Sequence, residues 1–461
     1  MIYKLIPRFL SNIMSRYKLI RTRAGLCVFG ILLVTSYQSN AAWLSICASQ
    51  PLSTLNKHDD GYLAHILDAE EKVTLLRVTA IQPENSDCEA RELPINVEEV
   101  SWAGFVNATV GKAQQITLQG RELNGRFAVS EIVAADDFKP SPPLPVDKLQ
   151  PSGQARRFPH LRASWFWSPA SWIDTPQRIF DSQTSLALKR IYITVPVSEG
   201  RVQHAEQLQQ FLQIAHQHGL QVWAVLGDPY AVLDREKEHF LARVSAYQDF
   251  NTGNVQQRLD GLQLDIEPYL LPGYQLNSAV WLQKQAKIVN AAHQVASSLE
   301  LDIVLPFWFD PVHGDSAALL SNVETSITSI TLMNYRTDPG QIREFAEKFL
   351  DWGERRKKAV FIALESLAMP EEDRRVYKQA ESGELWSFSF KETPVLLLLQ
   401  QTQDLPGGKA YSFSHSRKVD GSNTSFSLQP NKLMGLLPVL EKQFGAWSSF
   451  AGIALHGQEQ P

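Results

Sequence analysis

Two acidic residues stand two positions apart at the end of a short apolar run. Residues 260–269 read Asp-Gly-Leu-Gln-Leu-Asp-Ile-Glu-Pro-Tyr, which is typical of a buried strand. Successive side chains of a strand point to opposite faces, so Gln263, Asp265 and Glu267 share one face and the apolar residues share the other. Two close carboxyls repel when both are ionised, which raises the pKa of one of them. A carboxyl that stays protonated near neutral pH is what a general acid needs.

The residues around this pair resemble the strand-4 signature of the family-18 glycoside hydrolases, the chitinase-like TIM barrels. That signature is Asp-Gly-x-Asp-x-Asp-x-Glu. The chain keeps its first, third and last acids as Asp260, Asp265 and Glu267, and Gln263 stands in place of the second. The resemblance covers the second two-thirds of the chain.

A second stretch is similar to the same family. Met333, Asn334 and Tyr335 match its strand-6 pattern Met-x-Tyr, although Arg336 follows where the family usually has Asp. The family's Trp at the end of strand 8 has no equivalent in residues 453–456. The match is specific at strand 4, moderate at strand 6 and absent at strand 8.

The resemblance implies a hydrolase of polymers that contain N-acetylated amino sugars. Glu267 would protonate the leaving oxygen, and the acetamido group of the substrate would attack the anomeric carbon. Asp265 would orient that group and the Tyr335 hydroxyl would steady it. This is the substrate-assisted exception to the mechanism with two carboxylates.

Two other functions stay open. In the first, Glu267 is the acid/base and Glu365 the nucleophile, as in the retaining barrels of glycosidase clan A. Their acid/base is also a strand-4 Glu followed by Pro, but Ile266 stands where that clan has Asn. A carboxyl separation of ~5–5.5 Å would support this mechanism. In the second, the barrel is a non-catalytic glycan-binding or envelope structural protein.

Arg336 bears on the substrate-assisted mechanism and on the kind of substrate. A guanidinium paired with Asp265 or Glu267 would lower their pKa and spoil a general acid. The same side chain is also suited to binding a substrate carboxylate, as of a muramic or uronic acid residue.

From about residue 161 the sequence alternates short apolar strands with amphipathic helices. Leu208, Phe211, Leu212 and Ala215 follow helical spacing, and Gly219 is a stop signal. The predicted strands are 162–167, 190–195, 221–226, 261–266, 302–307, 329–335, 360–364 and 450–455. Eight strands with crossover helices predict an α/β fold, a (β/α)8 TIM barrel. A doubly wound open sheet ranks second, because no Gly-rich phosphate loop follows a strand.

Active sites of TIM barrels lie where the strands end, and the predicted strand ends carry acids, aromatic rings and an arginine. Glu267, Asp265, Tyr335 and Glu365 are the candidate catalytic residues. Flat aromatic rings pack well on the apolar faces of sugars. The candidate substrate-binding residues are Trp165, Trp167, Trp308, Asp228, Arg336 and His456.

The chain divides into four predicted segments. Residues 1–41 form a signal peptide, with basic residues before an apolar stretch too short to span a membrane comfortably. Residues 43–137 form a small β domain, in which Asn124-Gly125 predicts a hairpin turn. Residues 138–159 are a Pro-rich linker. Residues 160–461 form the barrel, with a long insertion at about 368–432.

Composition narrows the partners and the compartment. A net charge of −5 over 461 residues does not indicate nucleic-acid binding. We expect a periplasmic or secreted protein with no integral membrane segment after signal cleavage, a polysaccharide or oligosaccharide substrate, no cofactor and no metal. Cys47 and Cys88 remain after cleavage, and an even pair in an exported protein predicts one disulfide.

The signal peptide is testable directly. We expect the exported protein to begin near Ala41 or Ala42, because small residues precede this point, as signal peptidase requires. N-terminal sequencing of the exported protein measures this, and recovery of Met1 would contradict cleavage.

Overall fold

A computed structural model describes residues 42–50, 62–67, 71, 73–79, 88–106, 108–134, 149–271, 273–274, 277–390 and 393–458. The predicted signal peptide and residues 138–148 of the predicted linker lie outside them. The strands are β1 Ala42–Gln50, β2 Tyr62–Leu67, β3 Val73–Thr79, β4 Cys88–Leu93, β5 Val100–Phe105, β6 Gln115–Leu123, β7 Arg126–Ala134, β8 Leu161–Phe166, β9 Leu188–Ile193, β10 Val197–Ser198, β11 Arg201–Val202, β12 Gln221–Gly227, β13 Gly261–Asp265, β14 Glu300–Pro306, β15 Ser329–Met333, β16 Ala359–Glu365, β17 Glu372–Ala380, β18 Gly383–Phe390, β19 Thr393–Gln403, β20 Lys409–Val419 and β21 Phe450–His456. The helices are α1 Ala108–Lys112, α2 Ala170–Ile173, α3 Pro176–Leu186, α4 Ala205–Gln217, α5 Asp234–Gly253, α6 Ser278–Val295, α7 Gly314–Val323, α8 Pro339–Arg356 and α9 Pro430–Phe444.

Eight parallel strands close into a barrel. Their order is β8-β9-β12-β13-β14-β15-β16-β21, and β21 pairs with β8 to complete the ring. Helices follow the strands along the chain and cover the barrel from outside. The predicted TIM barrel is therefore confirmed, and each predicted strand agrees with the observed one to within two residues.

Apolar side chains on the outer strand faces hold the helices in place. Leu262, Leu264 and Ile266 of the acidic stretch are at most 1% exposed and belong to the main apolar cluster of strands and helices. The predicted face of α4 is buried in the same cluster. Full burial of such a side chain contributes about 1.5–3 kcal/mol, so these contacts fix β13 and the side chains on its inner face.

The barrel interior is filled by large rings and a cation. Trp165 stacks on Tyr192 with ring centroids 5.0 Å apart, and the Arg190 guanidinium lies 4.1 Å from the Trp223 ring centroid. A Cβ atom on Gly261 would come within 2.5 Å of the Trp223 ring. The glycine of the acidic motif therefore leaves room for this indole in the interior.

The barrel insertion and the N-terminal segment build one sheet. Its order is β5-β19-β18-β20-β17-β6-β7, so four insertion strands lie between strands from residues 100–134. Leu397 pairs with Ala103 at one junction, and Arg374 pairs with Gln119 at the other. The insertion is thus the middle of a sheet whose edges come from the N-terminal segment.

A second sheet, of order β2-β3-β1-β4, packs against the larger one. Leu44 and Leu76 from the smaller sheet share a buried apolar cluster with Trp386, Phe388 and Leu397 from the larger sheet. The predicted hairpin turn is present between β6 and β7. Asn124 and Gly125 have positive φ angles of 53° and 75° there, as a type I′ turn requires.

Cys47 and Cys88 form a disulfide, as predicted. They lie directly opposite each other on β1 and β4, so the bond joins paired strands. Among the described residues, no helix combines the length and the apolar character needed to cross a bilayer.

Removing the disulfide should weaken the smaller sheet. We expect Cys47→Ser/Cys88→Ser to lower the free energy of unfolding by about 2–4 kcal/mol, because the unfolded chain regains the freedom of the closed loop. Urea denaturation with and without reductant measures the effect. Reductant should destabilise the wild type and leave the variant unchanged; two free thiols in the native wild-type protein would contradict the pairing.

Candidate active site

The acid pair lies at the end of β13, on the inside of the barrel. Asp265 is the last residue of the strand, and Glu267 precedes a 3-10 turn at Pro268–Leu270. Their exposures are 6% and 5%. Burial raises the pKa of Asp265 well above its usual range, and the charges of Glu267 and Asp302 raise it further. Burial also raises the pKa of Glu267, so the pair retains a proton at higher pH than isolated carboxyls do.

The two carboxyls differ in their hydrogen bonds. Tyr269 donates its hydroxyl to Glu267 Oε1, and this bond opposes the rise in the Glu267 pKa. Asp265 Oδ1 is buried and accepts no hydrogen bond from a described residue. Burial and the Glu267 charge hold the pKa of Tyr269 well above its usual range, so its hydroxyl remains a donor. Asp265 thus has a buried oxygen whose hydrogen-bonding capacity is not used by any described residue.

Sequence reasoning gave Tyr269 no role, although the signal was present. Pro268 begins the 3-10 turn, and the turn brings the residue after it back against Glu267. The sequence signal is a Tyr that stands two positions after an acid at a strand end, with a proline between them.

Gln263 is held in a network below the pair. Its Nε2 donates to Asp302 Oδ2 over 2.7 Å, and its Oε1 accepts from Trp165 Nε1 over 2.6 Å. Asp302 also accepts from Ser329 and Thr331, at 2.6 and 2.7 Å. Burial raises the pKa of Asp302, and these donors oppose the rise. The sequence analysis did not identify Asp302, on the neighbouring strand β14, as part of the site. Its carboxyl lies beside the amide of Gln263, which replaces the second acid of the family signature.

Tyr335 follows β15 and faces the acids. The charges of Glu365, Asp265 and Glu267 add to burial and raise its pKa well above the usual range. Its ring stacks on His456, with centroids 6.1 Å apart and an interplanar angle of 18°. The hydroxyl is therefore a neutral donor surrounded by carboxyls.

Arg336 does not pair with the acids. Its Nη1 donates to the Tyr335 carbonyl over 2.8 Å, and its guanidinium lies 4.1 Å from the Phe307 ring centroid. Burial lowers its pKa. The ion pair that would spoil a general acid at Asp265 or Glu267 is thus not formed.

Glu365, His456 and Trp167 form a chain of hydrogen bonds at the ends of β16, β21 and β8. His456 Nδ1 lies 2.7 Å from Glu365 Oε2, and Trp167 Nε1 donates to His456 Nε2 over 2.9 Å. Because Nε2 accepts a hydrogen bond here, Nδ1 is the ring nitrogen that donates to Glu365. The other Glu365 oxygen, Oε1, accepts the Leu367 N–H over 2.6 Å. Both oxygens of Glu365 are therefore bonded within the protein.

The remaining candidates lie in different surroundings. Trp308 is 54% exposed, and its ring meets Tyr269 edge-on with centroids 5.3 Å apart. Trp165 is only 2% exposed and bonds to Gln263 inside the barrel. Asp228 caps the turn after β12 by accepting the Tyr230 N–H over 2.9 Å. Of these three, Trp308 alone presents a large open face near Glu267.

Among the described residues, no group of three or more His, Cys, Asp or Glu side chains is arranged to hold a metal ion. The chemistry available at the strand ends is that of acids, hydroxyls, an imidazole and rings.

Comparisons by sequence give no match, either to a family model or to a curated protein. Solved structures do match. A chitinase from Chromobacterium violaceum is 9% identical, with a TM-score of 0.36 over 65% of this chain and 95% of that one. The spore cortex-lytic enzyme SleL from Bacillus megaterium is 8% identical, with a TM-score of 0.37 over 66% and 73%. A family-18 chitinase from Cycas revoluta, solved with (GlcNAc)3, is 12% identical, with a TM-score of 0.35 over 64% and 94%. The assignment of function rests on the residues of the site.

The hydroxyl of Tyr269 should lower the pKa of Glu267. We expect Tyr269→Phe to raise the pKa of Glu267, because the variant loses a hydrogen bond that stabilises the ionised carboxylate. NMR titration of the glutamate carboxyls measures this, with the Glu267 signal identified by its loss in Glu267→Gln.

Tyr274→Phe is the matched control. Its ring contacts Tyr269 edge-on at 6.2 Å, but its hydroxyl makes no hydrogen bond to Glu267. An unchanged or lowered Glu267 pKa in Tyr269→Phe would show that the hydroxyl does not stabilise the carboxylate.

Proposed function

We propose that the protein is an exported glycoside hydrolase of a cell-envelope or environmental polysaccharide that contains N-acetylated amino sugars, with Glu267 as its general acid. The observation that carries the proposal is the buried Asp265–Glu267 pair with raised pKa values at the strand ends of a closed barrel. Acids in this position and state are suited to proton transfer to a glycosidic oxygen. Export is supported by the N-terminal sequence pattern and by the disulfide.

The pair can deliver its proton where cleavage requires it. Two adjacent buried carboxyls share one proton, since ionising both is costly. The N–H of a substrate acetamido group needs an acceptor, and Asp265 Oδ1 is free among the described residues to be one. Binding of this N–H favours ionised Asp265 and so leaves the proton on Glu267.

Cleavage then proceeds in two steps. In the first, Glu267 protonates the glycosidic oxygen, the bond from that oxygen to the anomeric carbon breaks, and the acetamido carbonyl oxygen bonds to the same carbon. Ionised Asp265 stabilises the positive charge of the resulting ring, and the Tyr335 hydroxyl donates to the acetamido oxygen. In the second, the water oxygen bonds to the anomeric carbon, the bond from that carbon to the acetamido oxygen breaks, and Glu267 takes a proton from the water, which restores both the acetamido group and the acid.

Trp308 is the proposed sugar-stacking residue. Its exposed ring lies against Tyr269, which itself bonds to Glu267. An indole face at this point would pack against the apolar face of a sugar next to the cleaved bond. Trp165 and Trp167 act instead through Gln263 and His456, which they orient by hydrogen bonds.

The geometry of Glu365 favours a positioning role over a nucleophilic one. Its carboxylate is buried and bonded through both oxygens, to Leu367 and His456. These two bonds fix the orientation of the carboxylate toward His456. We infer that Glu365 fixes the His456 ring, against which Tyr335 stacks.

Replacement of the general acid tests the proposal. We expect Glu267→Gln to lower the release of reducing sugar from N-acetylglucosamine oligomers and peptidoglycan by about 10²–10⁴-fold, because the amide cannot donate the proton. Glu300→Gln is the matched control, since Glu300 is exposed at the opposite end of its barrel strand.

Product analysis by mass spectrometry separates the alternatives. Activity confined to substrates with an acetamido group supports the substrate-assisted route. A covalent sugar adduct on Glu365, with turnover of β-glucans, would support the clan A mechanism instead. Glycan binding without turnover, unchanged by Glu267→Gln, would indicate a non-catalytic binding protein.

A further inference from the structure

Arg336 is a half-buried cation without a counter-ion among the described residues. The guanidinium is partly buried, and this burial lowers its pKa. The charge of Glu131 acts on the pKa of Arg336 in the opposite direction, and Glu131 lies 3.8 Å from Arg374. Partly burying a charge without a counter-ion is costly, and a ligand carboxylate would offset that cost.

The guanidinium is fixed in orientation. It stacks over Phe307 at 4.1 Å and lies 5.8 Å from the Phe345 ring, while Nη1 is bonded to the Tyr335 carbonyl. No described residue accepts a hydrogen bond from Nε or Nη2. The remaining donors are coplanar, which is the geometry that matches the two oxygens of a carboxylate.

Contacting aromatic rings connect this cation to the general acid. Tyr269 bonds to Glu267, and its ring meets Trp308 at 5.3 Å. Trp308 in turn meets Phe307 at 5.1 Å, and Arg336 stacks on Phe307. Arg336 is thus at the far edge of an aromatic patch, Tyr269–Trp308–Phe307, that begins at the acid.

We propose that Arg336 binds the carboxylate of an acidic sugar that adjoins the sugar packed on Trp308, so that the substrate is an anionic glycan. This inference rests on the proposed function and specifies its substrate class. Two kinds of sugar carry the required group: an amino sugar with an ether-linked carboxylic acid, such as N-acetylmuramic acid, and a uronic acid. Either would neutralise the guanidinium while the adjoining sugar packs on Trp308.

Binding measurements in a catalytically silenced protein test this inference separately from hydrolysis. In Glu267→Gln, calorimetric affinities are compared for an N-acetylmuramic acid glycan, the same glycan with its carboxyls reduced to alcohols, and an oligouronate. We expect one of the two acidic ligands to bind about ten- to hundredfold more tightly than the neutral glycan, as a charge-assisted hydrogen bond allows. The tighter one identifies the sugar.

The same ratio is then measured after replacing arginines. Adding Arg336→Gln should bring the acidic-to-neutral ratio close to one, and Arg336→Lys should leave an intermediate ratio, since it keeps the charge without the planar fork. Arg343→Gln is the matched control, because Arg343 is exposed on α8 and pairs with Glu347 in the next turn. Its ratio should equal that of Glu267→Gln alone.

Failure of the anion site and failure of the hydrolase give different experimental results. Equal affinity for acidic and neutral glycans in Glu267→Gln would overturn the role of Arg336, whether or not the wild type hydrolyses glycans. So would an unchanged ratio in Arg336→Lys, which also decides the case if Arg336→Gln fails to fold. A high ratio that Arg336→Gln abolishes, without hydrolysis by the wild type, would support the anion site and refute the hydrolase.

Discussion

The structure depends on the burial of two like acids at the end of one strand. Strand alternation directs Asp265 and Glu267 to the interior once Leu264 and Ile266 are buried against the helices. The closed barrel then removes most of the water that would stabilise their charges, and this raises their pKa values. The same apolar packing that stabilises the barrel therefore produces the chemical state that the acids need.

Two buried carboxyls of neighbouring strands, Asp302 and Asp265, differ in their hydrogen bonds. Asp302 accepts hydrogen bonds from Gln263, Ser329 and Thr331. Asp265, which is also buried, has an oxygen without a donor among the described residues. The Asp302 carboxyl also explains why an amide, Gln263, stands where the family signature has an acid. An acid there would face the Asp302 carboxyl at hydrogen-bonding distance and repel it, whereas the amide donates to it.

Local sequence patterns predicted the ends of the barrel strands to within two residues, because the periodicity of strands and helices depends on residues that are close together in the sequence. The sheet that the barrel insertion and the N-terminal segment build together was not predicted, since the pairing of β5 with β19 joins segments about 300 residues apart. Asp302 and Tyr269 escaped for a related reason. Their roles come from contacts with Gln263 and Glu267 that strand pairing and a turn create. Trp165 looked like a rim residue in the sequence, but its inward face places it deep in the barrel.

The sheet built by the insertion and the N-terminal segment also affects the electrostatic surroundings of Arg336. Its strands β7 and β17 carry Glu131 and Arg374, whose charges act on Arg336 in opposite directions. Because these two residues lie 3.8 Å apart, they largely cancel each other and do not neutralise Arg336. Without Arg374, the charge of Glu131 would act on Arg336 unopposed. The pairing of insertion and N-terminal strands thus keeps the cation available at one edge of the aromatic patch, with the general acid at the other.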